Sequence, residues 1–382
     1  MFSALSIQRS GPADRTSHVV RTHQMAFSAH PPLSSLVSSA DEVREAFQAF
    51  VLPRVLLRER ILGEAETAYS DLAGILRSPP PSGAAQTFPG APAALVARLR
   101  SVGLNPAGLF MRDGIGRAEA ERLHMPLLAV TRKALVGLAF DTDEERVKFF
   151  NEALGAYLQG LLGPVSDAEL EARLVHFITK SHYASAAARW DGDSRNLGGR
   201  VTSAAVQRHI AASLTRQGIP WEYALMSDPK RSTALRSQGS FSDPDPTVSG
   251  SLVRRFVVDG RMEICFGEPD ISITSLIKSL PPLLLGEIKG RTDMSNLYES
   301  WLPTIRQKLE AFQRDHPAVP RAVFQLFLTD KMLDDPARSE PGFERMLTSG
   351  LLTRTYTLAK LDRMPSERSR LDEDLAELLR QA

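Results

Sequence analysis

Two short apolar runs, at 271–274 and 283–288, constrain this chain more than anything else in it. Each is too short for an ordinary helix and is bordered by Gly, Pro or Ser, so each reads as a buried strand. Charged residues sit at their ends. Asp270 precedes the first run, and Glu287 and Lys289 close the second. Sixteen residues separate Asp270 from Glu287, enough for a strand end, a turn and a second strand. Glu287 and Lys289 are two apart, so on a strand they point to the same face. The expectation is two carboxylates and one ammonium gathered at a sheet edge, where a divalent cation and a phosphate can meet.

Two neighbouring carboxylates repel unless a cation lies between them. Mg²⁺ suits such a pair: it takes oxygen ligands, keeps several waters and needs only one or two carboxylates beside phosphate oxygens. Asp270 and Glu287 are the expected ligands, with the backbone carbonyl of Ile288 as a third. Lys289 is placed to orient or deprotonate a water, or to offset charge on a phosphorane. The implied chemistry is metal-assisted hydrolysis of a phosphodiester, with Asp270, Glu287 and Lys289 as the catalytic set.

Pro269-Asp270 followed by Glu287-Ile288-Lys289 resembles the signature of the PD-(D/E)xK nucleases, and the order of elements over about residues 200–362 is similar to that superfamily's core. Gly290-Arg291-Thr292-Asp293, with Glu299 and Trp301 beyond, is similar to the strand-to-helix turn of some type II restriction endonucleases. The resemblance implies an α/β fold with a mixed-sheet nuclease core flanked by helices. It also implies Mg²⁺-dependent, sequence-specific cleavage of double-stranded DNA by a homodimer, and a separate cognate DNA methyltransferase. Two alternatives remain open. One is a structure-specific repair or recombination nuclease on the same core; the other is a non-catalytic DNA-binding protein that retains it. No Gly-x-x-x-x-Gly-Lys-Ser/Thr loop is present to couple the chain to a nucleotide-driven motor.

Other residues carry two readings each. Glu222, Glu268 and Glu299 are candidate accessory acids, or ordinary surface carboxylates. Arg291, Thr292 and Asn296 sit where a DNA backbone would pass, in a turn where Asp293 or Ser295 can equally cap the next helix. Lys230, Arg231, Arg236, Arg254 and Arg255 form a basic concentration that reads as phosphate contacts or as a solvated face. Trp301 reads as core, and His182, His209 and His316 as structural or surface residues.

Composition sets the frame. Hydrophobic residues make up 43% of the chain and charged residues 24%, the balance of a globular protein, and the net charge of +1 excludes no class of partner. A lone cysteine, Cys265, rules out an internal disulfide and points to a cytoplasmic protein. No apolar run reaches the ~18–20 residues that span a bilayer. Residues 1–35 read as a disordered arm, with Met25 as an alternative start. Residues 36–185 read as an α-helical region for DNA embrace or dimerisation, and 186–382 as the nuclease core. Helical periodicity marks 39–76 (with Pro53 kinking or splitting it), 91–102, 118–138, 144–162, 167–180, 201–217, 294–314 and 343–352. Strands are expected at 252–258 and 261–266 around an Asp-Gly turn, and at 322–328 and 355–361.

Overall fold

A computed structural model describes residues 27–79, 87–112, 117–130, 140–230, 234–277, 281–290 and 296–382. Among these, eight strands form one mixed sheet in the order β2-β1-β3-β4-β5-β6-β7-β8. The strands are β1 (Trp221–Leu225), β2 (Arg236–Ser237), β3 (Val253–Val258), β4 (Met262–Phe266), β5 (Ile271–Ser275), β6 (Leu284–Lys289), β7 (Arg321–Gln325) and β8 (Arg354–Thr357). Neighbours from β2 through β6 run antiparallel, whereas β6, β7 and β8 are parallel. Parallel neighbours need crossovers, and these are helical. The main helices are α1 (Ala40–Arg77), α2 (Ala93–Ser101), α3 (Arg117–Leu128), α4 (Asp143–Leu162), α5 (Asp167–Arg216), α6 (Leu302–Asp315), α7 (Phe343–Thr348), α8 (Leu358–Arg363) and α9 (Pro365–Gln381). The fold is thus mixed α/β with a helical N-terminal region, and no helix among the described residues is long and apolar enough to cross a membrane.

The β3–β4 hairpin closes as the Asp-Gly pair dictates. Asp259 and Gly260 both take positive φ, 51° and 62°, and the Arg261 N–H donates to the Val258 carbonyl at 3.0 Å. Val, Ile, Phe and Met alternate along β3, β4 and β5, so one sheet face is apolar and buried. On it Phe256, Val258, Met262, Ile264, Ile271 and Ile273 pack with Leu197, Ile210 and Leu214 of α5.

Several expectations need correction. The helices read at 167–180 and 201–217 are one helix, α5, running unbroken through Gly192, Gly198 and Gly199. Long-range packing offsets the helix penalty of those glycines. The antiparallel partner is α1: Glu64 pairs with Arg189, the Tyr183 hydroxyl donates to Glu66, and Arg77 pairs with Glu171, so one number rises as the other falls. Pro53 splits nothing; it lies inside a continuous α1, which starts in a capping box between Ser39 and Glu42. The expected strand at 355–361 is only β8, after which the chain turns directly into α8. Trp221–Leu225, not anticipated as a strand, is β1, following the C-terminus of α5 where Gly218 takes φ +67°. The helix expected at 294–314 begins as a π-helical turn over Leu297–Trp301 and continues as α6. The expected C-terminal part of 118–138 lies outside the described residues, and Pro126 sits within α3.

Hydrophobic packing divides the chain along α5. Residues 68–178 contribute a helical cluster including Leu72, Leu99, Leu158 and Leu174. From Ala186 onward α5 belongs to the sheet cluster, which also takes Leu33, Leu36, Phe50, Leu57 and Ile61. The change on α5 falls between Ile178 and Ala186, within one continuous helix, and the start of α1 packs with the sheet.

Where α5 meets the end of β6, two glycines touch. A Cβ on Gly290 would lie 2.0 Å from the Gly198 carbonyl oxygen and 2.2 Å from Thr202 Oγ1. A Cβ on Gly198 would in turn lie 2.6 Å from the Gly290 carbonyl oxygen and 3.2 Å from Phe50 Cζ of α1. Gly290→Ala must therefore push α5 off the sheet, an overpacking cost of about 1–3 kcal/mol, measurable as a lower urea midpoint with unchanged m-value.

At the β8 edge, His30 is half-buried within the field of the C-terminal helix residues Arg370 and Glu367. Its Nδ1 lies 2.7 Å from the Pro31 carbonyl and its Nε2 accepts from the Thr355 N–H at 3.2 Å, the pattern of a neutral ring. Burial holds its pKa below the ordinary imidazole value, and the neighbouring Arg370 and Arg354 push the same way. An unfolded chain then binds a proton that the folded chain refuses, so stability is full above pH ~6.5 and is lost as pH falls below it. Chemical denaturation across that range is expected to show this loss, and His30→Gln to flatten it.

Candidate functional site

Asp270, Glu287 and Lys289 come together, though not at a sheet edge. β5 and β6 are interior strands, and the three residues sit at their ends. The β5–β6 ladder begins with Ile271 opposite Gly286, so Asp270 lies just beyond the last pair, alongside Glu287 and Ile288. Gly286 is required there: a Cβ would stand 2.8 Å from both the Ala322 carbonyl oxygen and Ile271 Cγ2.

Lys289 Nζ lies 2.5 Å from Glu287 Oε2 and 3.5 Å from Asp270 Oδ2, so both carboxylates face one ammonium nitrogen. Asp270 Oδ2 also accepts the Ile288 N–H at 2.9 Å. In an extended strand a residue's N–H and C=O point to the same side. The Ile288 carbonyl therefore faces the Asp270 side, past the end of the β5 ladder.

Sequence reasoning missed a second lysine. Lys308, on α6, places Nζ 3.0 Å from Glu287 Oε2, 3.1 Å from Oε1 and 3.6 Å from Glu268 Oε1. The signal was available: α6 is strongly amphipathic and follows the motif strand directly. Its register against β6 was not readable, because it depends on the π-helical turn before it. Gln325 was missed too. It stands abreast of Lys289 on the parallel neighbour β7, on the same face, fully buried, and its Oε1 has no hydrogen-bond partner among the described residues.

Exposure grades from solvent inward. The Glu268 side chain is 80% exposed, Lys308 32%, Asp270 28%, Lys289 15% and Glu287 0%. The group is reached past Glu268. Burial raises the Glu287 pKa above the ordinary carboxylate value, against the opposing pull of Lys289 and Lys308. Burial is the largest influence on Lys308 and works against its charge, but the hydrogen bond to Glu287 and the charges of Glu287, Asp270 and Glu268 together raise its pKa. Cys265, pushed up to about 12 by burial, is a thiol and no nucleophile.

The remaining candidates disperse. Glu268 joins the group through Lys308. Glu222 is exposed on β1, and β3, β4 and β5 separate it from β6, roughly 19 Å at the usual strand spacing. Glu299 faces a cavity shared with Tyr298, Asp330, Asp334 and Arg338 that none of the three motif residues lines. Asn296 accepts the Ser300 and Trp301 N–H groups at 3.1 Å through its backbone carbonyl and opens the π-helical turn. Arg236 is paired with Asp228 at 3.0 Å, Arg255 with Glu263 at 2.9 Å, and Arg254 donates to the Met226 carbonyl at 2.5 Å. These three are held by internal partners instead of standing free for phosphates. Lys230 is exposed. Arg231, Arg291, Thr292, Asp293 and Ser295 lie outside the described residues. Trp301 is core, as expected, and His182 is buried.

The donor set fits a magnesium ion. No group of three or more His, Cys, Asp and Glu side chains is placed to hold a metal ion among the described residues. Two carboxylates that already share one cationic nitrogen, plus a carbonyl on the same side, match a hard ion that keeps much of its water. No protein-family model matches this chain, and no relative was found among curated proteins.

Two ammonium groups beside Glu287 compete with any metal for it. Lys308→Met, which removes the one that does not also face Asp270, is expected to tighten Mg²⁺ binding several-fold in a calorimetric titration. Weakened binding would instead mean that Lys308 holds Glu287 in the ligating position.

Proposed function

We propose that this chain is a Mg²⁺-dependent DNA endonuclease of the PD-(D/E)xK type, acting as a sequence-specific, restriction-type enzyme on double-stranded DNA. The observation that carries the reading is the convergence of Asp270, Glu287 and Lys289 at the ends of two paired strands, with Ile288 between the last two. The strand–strand–helix–strand order around them, antiparallel on one side of β6 and parallel on the other, supports it.

In this reading Asp270, Glu287 and the Ile288 carbonyl hold the metal, which when bound supplies positive charge against the scissile phosphate and a more acidic water. The chain's own residues do the rest. The Ile288 N–H fixes one Asp270 oxygen and so aims the other. Lys289 reaches both carboxylates, and its ammonium stays beside them to position a water and balance charge on the phosphate in the transition state. Lys308 balances the charge of Glu287 while no metal is bound, against the opposing effect of burial. Exposure rises from Glu287 through Lys289 and Asp270 to Glu268, so a phosphate would approach from the Glu268 side.

Plasmid and phage DNA incubated with Mg²⁺ are expected to yield discrete fragments. Asp270→Ala, Glu287→Ala and Lys289→Ala should each lower the cleavage rate by ~10²–10⁴-fold, with DNA retention in gel shift largely kept. Full cleavage by Lys289→Ala would remove the mechanism. Smeared or junction-specific products would favour a repair-type nuclease on the same core.

A further inference from the structure

Parallel pairing sets Lys289 of β6, Gln325 of β7 and Thr357 of β8 level with one another on one face of the sheet. Three polar side chains in a row are out of place there, because buried parallel strands are ordinarily apolar on both faces. Gln325 and Thr357 are sealed from solvent altogether, at 0% exposure. Gln325 Nε2 reaches Thr355 Oγ1 at a long 3.5 Å, and its Oε1 has no hydrogen-bond partner among the described residues. Thr357 Oγ1 has none either, so β8 leaves that acceptor unused. A buried acceptor left unpaired lowers stability, where an apolar side chain of the same length would not.

The neighbouring ammonium gives a reason for keeping it. Lys289 Nζ stands 2.5 Å from Glu287 Oε2 and 3.5 Å from Asp270 Oδ2, between the two carboxylates that would ligate a metal ion. An ion held by Glu287 Oε2 at about 2.1 Å would lie within about 5 Å of that nitrogen, and the two cations would repel. Lys308 meets the same conflict with solvent to turn to, being 32% exposed. Lys289 is 15% exposed and has no such exit, and a buried ammonium without an acceptor is costly. On β7 the residue level with Glu287 is Val323, whose side chain accepts nothing. The next on that face is Gln325, one strand spacing, about 4.8 Å, from Lys289. Its Oε1 is the acceptor the ammonium lacks. As an uncharged amide it takes the ammonium without competing for the metal, as a third carboxylate would.

We infer that Gln325 is a positioning residue of this site. Its carboxamide oxygen receives the Lys289 ammonium when a metal ion binds Asp270 and Glu287, and holds it beside the carboxylates. The inference rests on the reading of those two acids as metal ligands. With Lys289 bonded to Glu287, as here, Oε1 is unpaired; with Lys289 turned toward β7 it is paired. An amide kept for the fold alone would be paired in the arrangement seen.

Calorimetric titration of the full chain with Mg²⁺, beside urea denaturation without added metal, tests this. Gln325→Met keeps the side chain's length and removes the amide. It is expected to leave the urea midpoint unchanged or higher. Mg²⁺ binding should weaken about tenfold, as for loss of one hydrogen bond to a charged group. In a Lys289→Met background the same change should leave Mg²⁺ affinity where it was, because the ammonium it serves is gone. In DNA cleavage Gln325→Met should lower kcat with KM little changed. A lower urea midpoint with unaltered Mg²⁺ affinity would make Gln325 a structural residue and overturn the inference. Equal losses of affinity in the wild-type and Lys289→Met backgrounds would overturn it too, since Gln325 would then not act through Lys289. A raised KM at unchanged kcat would place the residue in DNA binding and count equally against it. A wild type that binds no Mg²⁺ would sink the metal-site reading together with this inference. Wild-type binding with an indifferent Gln325→Met would remove the inference alone.

Discussion

A carboxylate removed from water costs several kcal/mol unless opposite charge and hydrogen bonds are brought to it, and Glu287 has no solvent exposure at all. The end of the sheet is organised around that cost. Lys289 comes from the same strand two residues on, and Lys308 from the helix that follows, each within 3.0 Å of the same carboxylate oxygen. Even so, burial keeps the Glu287 pKa raised. A core built for stability alone would place an apolar side chain here, as the neighbouring Ile288 and Val323 show. A buried acid retained with two cations is better explained by a charge the site needs than by one the fold needs.

The sheet's change of sense puts the group where it is. On its β5 side β6 is antiparallel, so the start of β5 lies beside the end of β6 and brings Asp270 alongside Glu287. On the other side β7 runs parallel, and its C-terminal end brings Gln325 level with Lys289. One strand with unlike neighbours thus collects side chains from a strand start and two strand ends. Two backbone contacts fix the spacing: Gly286 lets β7 and β5 close on β6, and Gly290 lets α5 cross its end. Neither glycine takes a positive φ; both are needed for room.

Much of this was legible in the sequence, and the losses have physical causes. Asp270, Glu287 and Lys289 were readable because strand periodicity is short-range: two residues apart means one face whatever else the chain does. The Asp259-Gly260 hairpin and the Gly218 helix end were readable for the same reason, since each depends on one residue's φ. Positions fixed by long-range packing were not. Gly192, Gly198 and Gly199 argue locally for a break, yet α5 stays helical because α1 and the sheet pack along it. Lys308 needed the register of α6 on the sheet, and the partners of Arg254 and Arg255 needed strands β1 and β4 in place. A basic cluster in one dimension became separate, internally matched charges in three.

That last change bears on how a duplex would be held. Arg254 and Arg255 are half-buried on Met226 and Glu263, and the more exposed Arg236 is already paired with Asp228, so β2 and β3 offer a phosphate less positive charge than their sequence suggests. Lys308 is one-third exposed, bonded to Glu287 and 3.6 Å from Glu268, so it is the cation of the group nearest solvent. Affinity from so few cations would be modest for a single copy.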